Sequence, residues 1–488
     1  MIALSCTGKT IDENIRNIEH YRKYLGIVEL RVDFLDLAER SRIEDFPSKA
    51  GLPAILTYRK PEDGGVAPEI DEALRFDILK IGLRGGYSYL DIEDDALPEY
   101  VDGLCMEAEK NGTKVIKSFH DFGGVPENLY DRMEAAAQSG RFIPKAAVMP
   151  KGTADMLKII EVSRRLTDEA AGRAAAADGF ILLGMGIYGF PTRILAKALG
   201  SMLTFTSPAG ASAAPGHVTP LDLADYGYEL ISRKSRIYGI IGNPVMHSRS
   251  PHLHNSGYRK QGIDAVYLPF ETSDPKLILE NADMLNLGGL SVTIPHKQSV
   301  ISLADSIDES AEEIGACNTL VNRGGDEGWA AFNTDWLGFL KPLEGEPLEG
   351  KAALVIGAGG AARAVVYALV KRGMKVTIIN RTAAKAEKLA ADFGCRGGGI
   401  DSALCAVNPS LVVQTTSVGM NPEPDADPLP GFEFSGSEIV YDLIYTPEKT
   451  LFLSRAETAG CRIINGYPML VSQAEEQFLL FTGCKASF

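Results

Sequence analysis

Eight short apolar runs recur along the first half of the chain: "IALSC", "GIVELRVD", "PAILTYR", "YLDIE", "KVIKSFHD", "PKAAVMP", "GFILLGMG" and "MLTFTS". Stretches rich in Ala, Glu, Lys and Leu separate them, so β-type runs alternate with helical spacers. That alternation requires parallel strands joined by crossovers, and eight repeats of it predict an α/β fold of the (β/α)8 TIM barrel type. Polar residues gather toward the C-terminal ends of the runs: Glu29, Arg31, Arg59, Glu93, His120 and Lys145. Barrel enzymes carry their chemistry at that face. An open, doubly wound sheet is the alternative, but it does not explain why so many charged groups lie within apolar runs, where a charge loses hydration.

After "SAAPGHVTPLDLADYGY" the rhythm changes, and a new strand beginning at Ile237 sets a boundary near residue 233. Further on, "KAALVIGAGGAARAVVYALVKRGMKVTIINRT" reads as strand, glycine turn, helix and second strand, the pattern of a dinucleotide-binding βαβ unit. The expected division is a barrel over 1–225, a smaller α/β substrate domain over 234–340, and a Rossmann domain over 341–465. An apolar helix at about 466–485, "GYPMLVSQAEEQFLLFTG", is expected to return to the smaller domain. A chain of 488 residues is long enough for cores of this number.

Lys and Arg number 49 against 64 Asp and Glu, a net charge of -15, which disfavours nucleic acid and anionic membranes as bulk-charge partners. An anionic ligand must therefore be held by local basic residues. Seven widely spaced cysteines without a Cys-x-x-Cys pair fit a reducing compartment, and no metal site is expected. The first residues, "MIALSCTGKT", lack the features of a targeting peptide, and no apolar run reaches membrane-spanning length. The expected location is cytoplasmic, or plastidic where a transit peptide has been removed.

Lys145 lies inside the apolar run "FIPKAAVMP". A lysine normally titrates near ~10.4, whereas a desolvated one falls toward ~7 to 8 and attacks a ketone as the free amine. The protonated imine formed is an electron sink, which lets a base such as His120 remove the neighbouring proton. A lone lysine of this kind more often packs its stem on apolar surface and extends its head to solvent. His120 and Glu93 on the preceding strands shift the balance toward chemistry.

"VELRVD", "TYR" followed by "GG", "YLDIE", "SFHDF" and "KAAVMP" resemble, in order, the type I 3-dehydroquinate dehydratase family over about residues 1 to 225. The resemblance implies Lys145 as the Schiff-base residue, His120 as general acid/base, and Glu93 as the group that orients or charge-balances the histidine. It implies substrate binding by Ser5, Glu29, Arg31, Arg59, Arg193, Ser212 and His217, with the Arg193 fork on a carboxylate. Two segments depart from the family pattern. "GFPTR" stands where a Ser-Arg pair is usual, and "ASAAPGH" stands for "SAPGQ", which puts His217 in place of a glutamine.

In the second half, "GNPVMHSRSPHLHN", "SVTIPHK", "GACNTLV" and "FNTDWLGF" are each readable as caps, turns or exposed charge when taken alone. Together with "GAGGAARA", "NRT", "TTSVGM", "YDLIYTP" and "MLVSQA" they resemble shikimate dehydrogenase from Ile237 to the C-terminus. The resemblance implies Lys297 and Asp335 as the catalytic pair, Ser248 and Ser250 on the substrate carboxylate, and Thr293, Asn318, Tyr445 and Gln473 elsewhere on the substrate. Ser291 stands where asparagine is common. Gly357, Ala358, Gly359, Gly360, Ala361, Asn380, Arg381, Thr382, Lys385, Thr416, Ser417 and Gly466 are the implied cofactor-binding positions. Arg381 and Lys385 follow the second strand where an NAD-binding unit would place an acid, so the expected cofactor is NADP.

The resemblances together imply a bifunctional enzyme that dehydrates 3-dehydroquinate and then reduces 3-dehydroshikimate to shikimate with NADPH. Its expected partners are these small molecules. A quinate/shikimate dehydrogenase with a catabolic role is the alternative within enzymes, and a quinate-sensing regulatory protein is the alternative outside them. The retained Lys145, His120, Lys297 and Asp335 weigh against a regulator, as does the lack of a basic DNA-binding segment.

Overall fold

The structure, a computed structural model, describes residues 1–67, 71–172, 179–211, 214–216, 218–401 and 408–488. The chain groups into two units, Met1–Ile237 with Gly262–Asn286, and Tyr238–Gln261 with Leu287–Phe488. In the first unit lie β1 (Ile2–Cys6), β2 (Ile27–Arg31), β3 (Ala54–Thr57), β4 (Tyr89–Glu93), β5 (Lys114–Asp121), β6 (Phe142–Val148), β7 (Ile181–Gly184) and β8 (Thr204–Thr206). They pair in parallel in the order β7-β6-β5-β4-β3-β2-β1-β8. A bridge between Phe180 and Ser201 brings the two ends of that order together. There Met202 N donates to Phe180 O at 2.8 Å, and Leu182 N to Ser201 Oγ at 3.3 Å. The sheet is thus curled into the expected barrel.

Parallel pairing in this register aligns Glu93 of β4, Ser118 of β5 and Lys145 of β6 in one row. Because side chains alternate along a strand, Asp91 shares the inward face with Glu93, one step deeper. Helices follow the strands, and their starts are written locally. Thr219, for example, caps the helix Pro220–Asp225 by a reciprocal pair with Asp222.

Strand β9 (Arg236–Gly242) is followed by β10 (Ala265–Glu271), which groups with the first unit. The second unit continues with β11 (Leu287–Val292), β12 (Ser306–Ile307), β13 (Thr319–Gly324) and β14 (Gly328–Phe332), hydrogen-bonded in the order β9-β11-β13-β14-β12. This sheet is mixed, with β13 antiparallel to both neighbours.

A third sheet comprises β15 (Ala352–Ile356), β16 (Lys375–Asn380), β17 (Arg396–Gly399), β18 (Leu411–Gln414), β19 (Ile439–Asp442) and β20 (Arg462–Ile464), all parallel, in the order β17-β16-β15-β18-β19-β20. The order reverses between β15 and β18, which opens a crevice at their carboxyl ends. The helix Gly360–Lys371 covers one face, packing Val365, Val366 and Leu369 with Val355, Val376 and Val413. The last helix, Tyr467–Thr482, stacks Phe481 on Tyr238 and sets Phe478 against Tyr258. Among the described residues, no helix is long and apolar enough to cross a membrane.

Candidate active sites

Lys145 projects into the barrel only 4% exposed. Its Nζ lies 2.6 Å from Asp91 Oδ2, 3.8 Å from Glu29 Oε1 and 4.2 Å from the centre of the Phe205 ring. Asp91 in turn accepts from Arg59 Nη2 at 2.9 Å and Ser118 Oγ at 2.6 Å. Burial alone would raise the Asp91 carboxyl, but the Arg59 and Lys145 charges prevail and hold it well below the usual carboxylate range. Glu29 is fixed by the hydroxyls of Ser5, at 2.7 Å, and Thr57, at 3.0 Å.

His120, near the end of β5, is pushed down to about 4 by burial and then by the Arg59 charge, against a hydrogen bond to Asp63. It is therefore a neutral imidazole at physiological pH, with a ring-nitrogen lone pair available to accept a proton. Asp63 Oδ1 accepts from the His120 backbone N at 3.1 Å and lies 3.3 Å from Nδ1. The orienting contact expected from Glu93 thus comes from Asp63. Glu93 instead accepts from Arg75 Nη1 at 2.8 Å, Lys60 N at 3.2 Å and Arg59 Nη1 at 3.4 Å. The reason is register: Glu93 ends its strand beside the Arg59 and Arg75 guanidiniums, whereas Asp63 sits in the loop that crosses to His120.

Arg31 is held in a two-pronged pair by Asp33, at 2.8 and 2.7 Å. Arg193 differs from every other arginine of the site. It is 2% exposed, and among the described residues its Nε has no hydrogen-bond partner and no carboxylate lies within ion-pair distance. Its Nη1 reaches Phe205 O at 3.5 Å, and burial lowers its pKa to about 10. A buried guanidinium without a counter-charge is a receptor for an anion. Ser212 and His217 lie outside the described residues.

In the second unit, Lys297 Nζ pairs with Asp335 Oδ2 at 2.6 Å. Asp335 opens the helix Asp335–Leu340, and its Oδ1 accepts from Asn318 Nδ2 at 2.8 Å. The Asn318 amide lies 3.4 Å from Gln473 Oε1 and accepts from Thr334 N at 2.7 Å. Four of the predicted residues therefore form one polar cluster. Thr293 follows β11, with its N bonded to Ile241 O at 3.0 Å. Ser250 begins the helix Ser250–Gln261, its N donating to Ser248 Oγ at 3.2 Å, and Arg249 between them faces the Tyr445 ring at 5.8 Å. Ser291 donates to Gln477 Oε1 at 2.8 Å, and Gln477 Nε2 donates to Asn318 O at 3.1 Å and Thr319 Oγ1 at 3.0 Å.

The glycine turn joins β15 to the helix Gly360–Lys371 at the crevice. Gly357 has φ 115°, and a Cβ there would lie 2.4 Å from Thr415 Oγ1, so the turn itself requires glycine. At Gly359 a Cβ would meet nothing within 4 Å among the described residues. Room for a close backbone approach at a helix start fits a pyrophosphate, with Ala358 and Ala361 flanking it. Asn380 Nδ2 closes the next turn by bonding Thr382 O at 3.0 Å, leaving Arg381 and Lys385 exposed. Thr416 and Ser417 follow β18 across the crevice, with Thr416 N bonded to Gln414 Oε1 at 2.7 Å. Gly466 allows the close passage of Leu443 O and donates from its N to Ile444 O at 3.0 Å. These donors and clearances fit a phosphorylated dinucleotide.

Family models match along the chain: type I 3-dehydroquinase over residues 2–233, the shikimate dehydrogenase substrate binding domain over 240–320, and shikimate/quinate 5-dehydrogenase over 342–401. A chloroplastic bifunctional 3-dehydroquinate dehydratase/shikimate dehydrogenase of Arabidopsis thaliana is 32% identical over 484 residues, spanning 94% of this chain and 78% of its own. A shikimate dehydrogenase (NADP(+)) of Oleidesulfovibrio alaskensis is 44% identical over 259 residues, 52% of this chain and 92% of its own. The pentafunctional AROM polypeptide of Candida glabrata is 32% identical over 502 residues, 94% of this chain and 30% of its own.

Proposed function

The chain belongs to the bifunctional 3-dehydroquinate dehydratase/shikimate dehydrogenases of the shikimate pathway, and on that premise we propose residue roles for its two reactions and NADPH as the reductant. The roles divide along the boundaries read from the sequence: the dehydratase over 1–225, the substrate domain over 234–340 with the helix at about 466–485, and the coenzyme domain over 341–465.

In the dehydratase, the Lys145 amine attacks the ketone of 3-dehydroquinate, and water leaves as the imine forms. Asp91 holds the lysine head at 2.6 Å and takes up part of its charge. Neutral His120 removes the proton next to the iminium carbon, and the electron pair moves into the iminium. The ring hydroxyl then departs as water, carrying the proton that His120 accepted. An imidazolium whose pKa has been pushed down to about 4 surrenders that proton readily. Water hydrolyses the remaining imine and restores Lys145. Arg193 anchors the substrate carboxylate, and Asp63 keeps the ring of His120 oriented.

In the reductase, bound NADPH supplies the hydride. Lys297 gives its proton to the carbonyl oxygen that becomes the hydroxyl, while Asp335 fixes the ammonium at 2.6 Å. Asn318 and Gln473 lie beside that pair to receive ring hydroxyls, and Ser248 and Ser250 receive the carboxylate. Arg381 and Lys385 are free at the surface to meet the 2'-phosphate, which favours NADPH over NADH.

The observation that carries this reading is Arg193, a buried cation with no counter-charge among the described residues, in the same barrel as a buried lysine and a neutral histidine. The test is loss of NADPH absorbance when the purified chain receives 3-dehydroquinate alone, with NADH in parallel. The second site has no substrate until the first has produced it. Loss that is faster with NADPH is the expected result, and no loss with either coenzyme overturns the serial reading.

A further inference from the structure

The three glycines of the coenzyme turn are not equivalent. Gly357 is required by its own backbone, and Gly359 leaves clearance that nothing among the described residues fills, as described above. At Gly360 an added Cβ would lie 3.0 Å from Lys297 Cβ, 3.3 Å from its Cδ and 3.7 Å from its Cγ. The stem of the lysine therefore runs along the first residue of the helix Gly360–Lys371.

Lys297 has little room to yield. Its carbonyl accepts from Cys317 N at 2.7 Å, which fixes the backbone, and its Nζ is held by Asp335 at 2.6 Å, which fixes the head. The crowded atom is Cβ, so rotation of the outer stem does not relieve the contact. Alanine is also the better helix former at such a position, so helix propensity gives no reason for glycine here.

We propose that Gly360 is a positioning residue for Lys297: its missing side chain keeps the lysine stem in line with Asp335, so the turn that receives the dinucleotide also places the proton donor. This rests on the reading of Lys297 as that donor. Hydride and proton must reach the two atoms of one carbonyl, and a shared contact between the turn and the lysine stem would hold the two deliveries in register.

The test compares Gly360→Ala and Gly359→Ala in the full chain. For Gly360→Ala the NADPH dissociation constant, titrated by nicotinamide fluorescence, should stay within about threefold of wild type. Reduction of 3-dehydroshikimate at saturating NADPH should fall about tenfold or more, since displacing a reacting group by even ~1 Å is severe. The solvent deuterium isotope effect on kcat should rise as proton transfer becomes limiting. Gly359→Ala should instead lose NADPH affinity. If Gly360→Ala weakens NADPH as Gly359→Ala does and keeps its kcat at saturation, its glycine serves the ligand and the proposal is wrong.

A melting-temperature cycle needs no coenzyme and remains informative if Gly360→Ala is poorly active. Gly360→Ala should lower the midpoint in the wild-type background and much less in Lys297→Gly, where the stem is gone. Equal shifts in both backgrounds overturn the proposal. Failure of the wild-type chain to oxidise NADPH with 3-dehydroshikimate would count against the functional reading, whereas the melting cycle reads the contact itself.

Discussion

Replacing Asp91 by asparagine removes one negative charge from a cluster that water scarcely reaches. Asp91 is 1% exposed and answers two cations, Lys145 at 2.6 Å and Arg59 at 2.9 Å, with Ser118 as a third donor. An amide oxygen can still accept from one of them, but the ammonium and the guanidinium then face each other with less compensation. Breaking a buried pair by removing one partner destabilises by about 3–5 kcal/mol, because the surviving charge stays buried with weaker compensation, here Glu29 at 3.8 Å from Lys145 and Glu93 at 3.4 Å from Arg59. For a barrel of this size each kcal/mol moves the melting point by about 2–4 °C, so the expected fall is roughly 6–20 °C. Far-UV circular dichroism reads it, with shikimate dehydrogenation as the control for an intact second unit. Asp91→Asn with Lys145→Met removes both charges and should recover a large part of the loss, with a coupling of about 2 kcal/mol or more. A fall smaller than about 2 °C, or a double variant no more stable than Asp91→Asn, would refute the reasoning.

Three further outcomes concern other buried or paired groups. Arg193→Met should raise the melting point while raising KM for dehydroquinate roughly tenfold to a hundredfold: burial lowers this arginine from its ordinary value to about 10, a penalty of about 3 kcal/mol that is fully present at pH 7. Titrations of stability against urea should show a loss of up to about 3 kcal/mol as pH falls from ~6.5 toward ~4, where the unfolded chain binds a proton that the buried His120 refuses, and His120→Asn should remove that part of the slope. Lys297→Met should reduce 3-dehydroshikimate reduction by about 10²- to 10⁴-fold and leave the dehydratase rate unchanged, as assayed by product absorbance.

Lys145, His120 and the strands that bear them were legible because a charge in an apolar run is costly and its position along a strand fixes the face it takes. The glycine turn was legible for a similar reason, since strand, glycine and helix follow one another within one contiguous stretch. Asp91 was not singled out, although it lies two residues from Glu93 on the same face. Pattern fixes which side of a strand a group occupies but not its depth, and depth decides whether it meets Lys145 or Arg75. Asp63 was harder still. It ends a single 3-10 turn, Pro61–Asp63, after β3, far from His120 in the chain and too short for any periodicity to mark it. Gln477 and its bonds to Ser291 and Asn318 were hidden because a glutamine in an apolar helix reads as exposed until the fold buries it. The mixed pairing of β13 was likewise set by tertiary contacts rather than by any local signal.

The seam between β7 and β8 gives the barrel a preferred line of opening. Seven of its edges are full ladders, while among the described residues this one is closed by the Phe180–Ser201 bridge and two neighbouring bonds. Mechanically the barrel is a rolled sheet fastened at one edge, so small excursions should concentrate there. Amide hydrogens of Leu182 and Met202 should exchange with solvent sooner than those in the middle of β5 and β6. Arg193 rides on the helix Gly186–Ile194, which joins the two strands of the seam. On the roles proposed above, each loosening of the seam would move Arg193, the residue assigned to the carboxylate, whereas Lys145 and His120 sit on β6 and β5, which pair along their shared length, so the barrel would exchange its ligand along one side without disturbing the groups assigned to the chemistry.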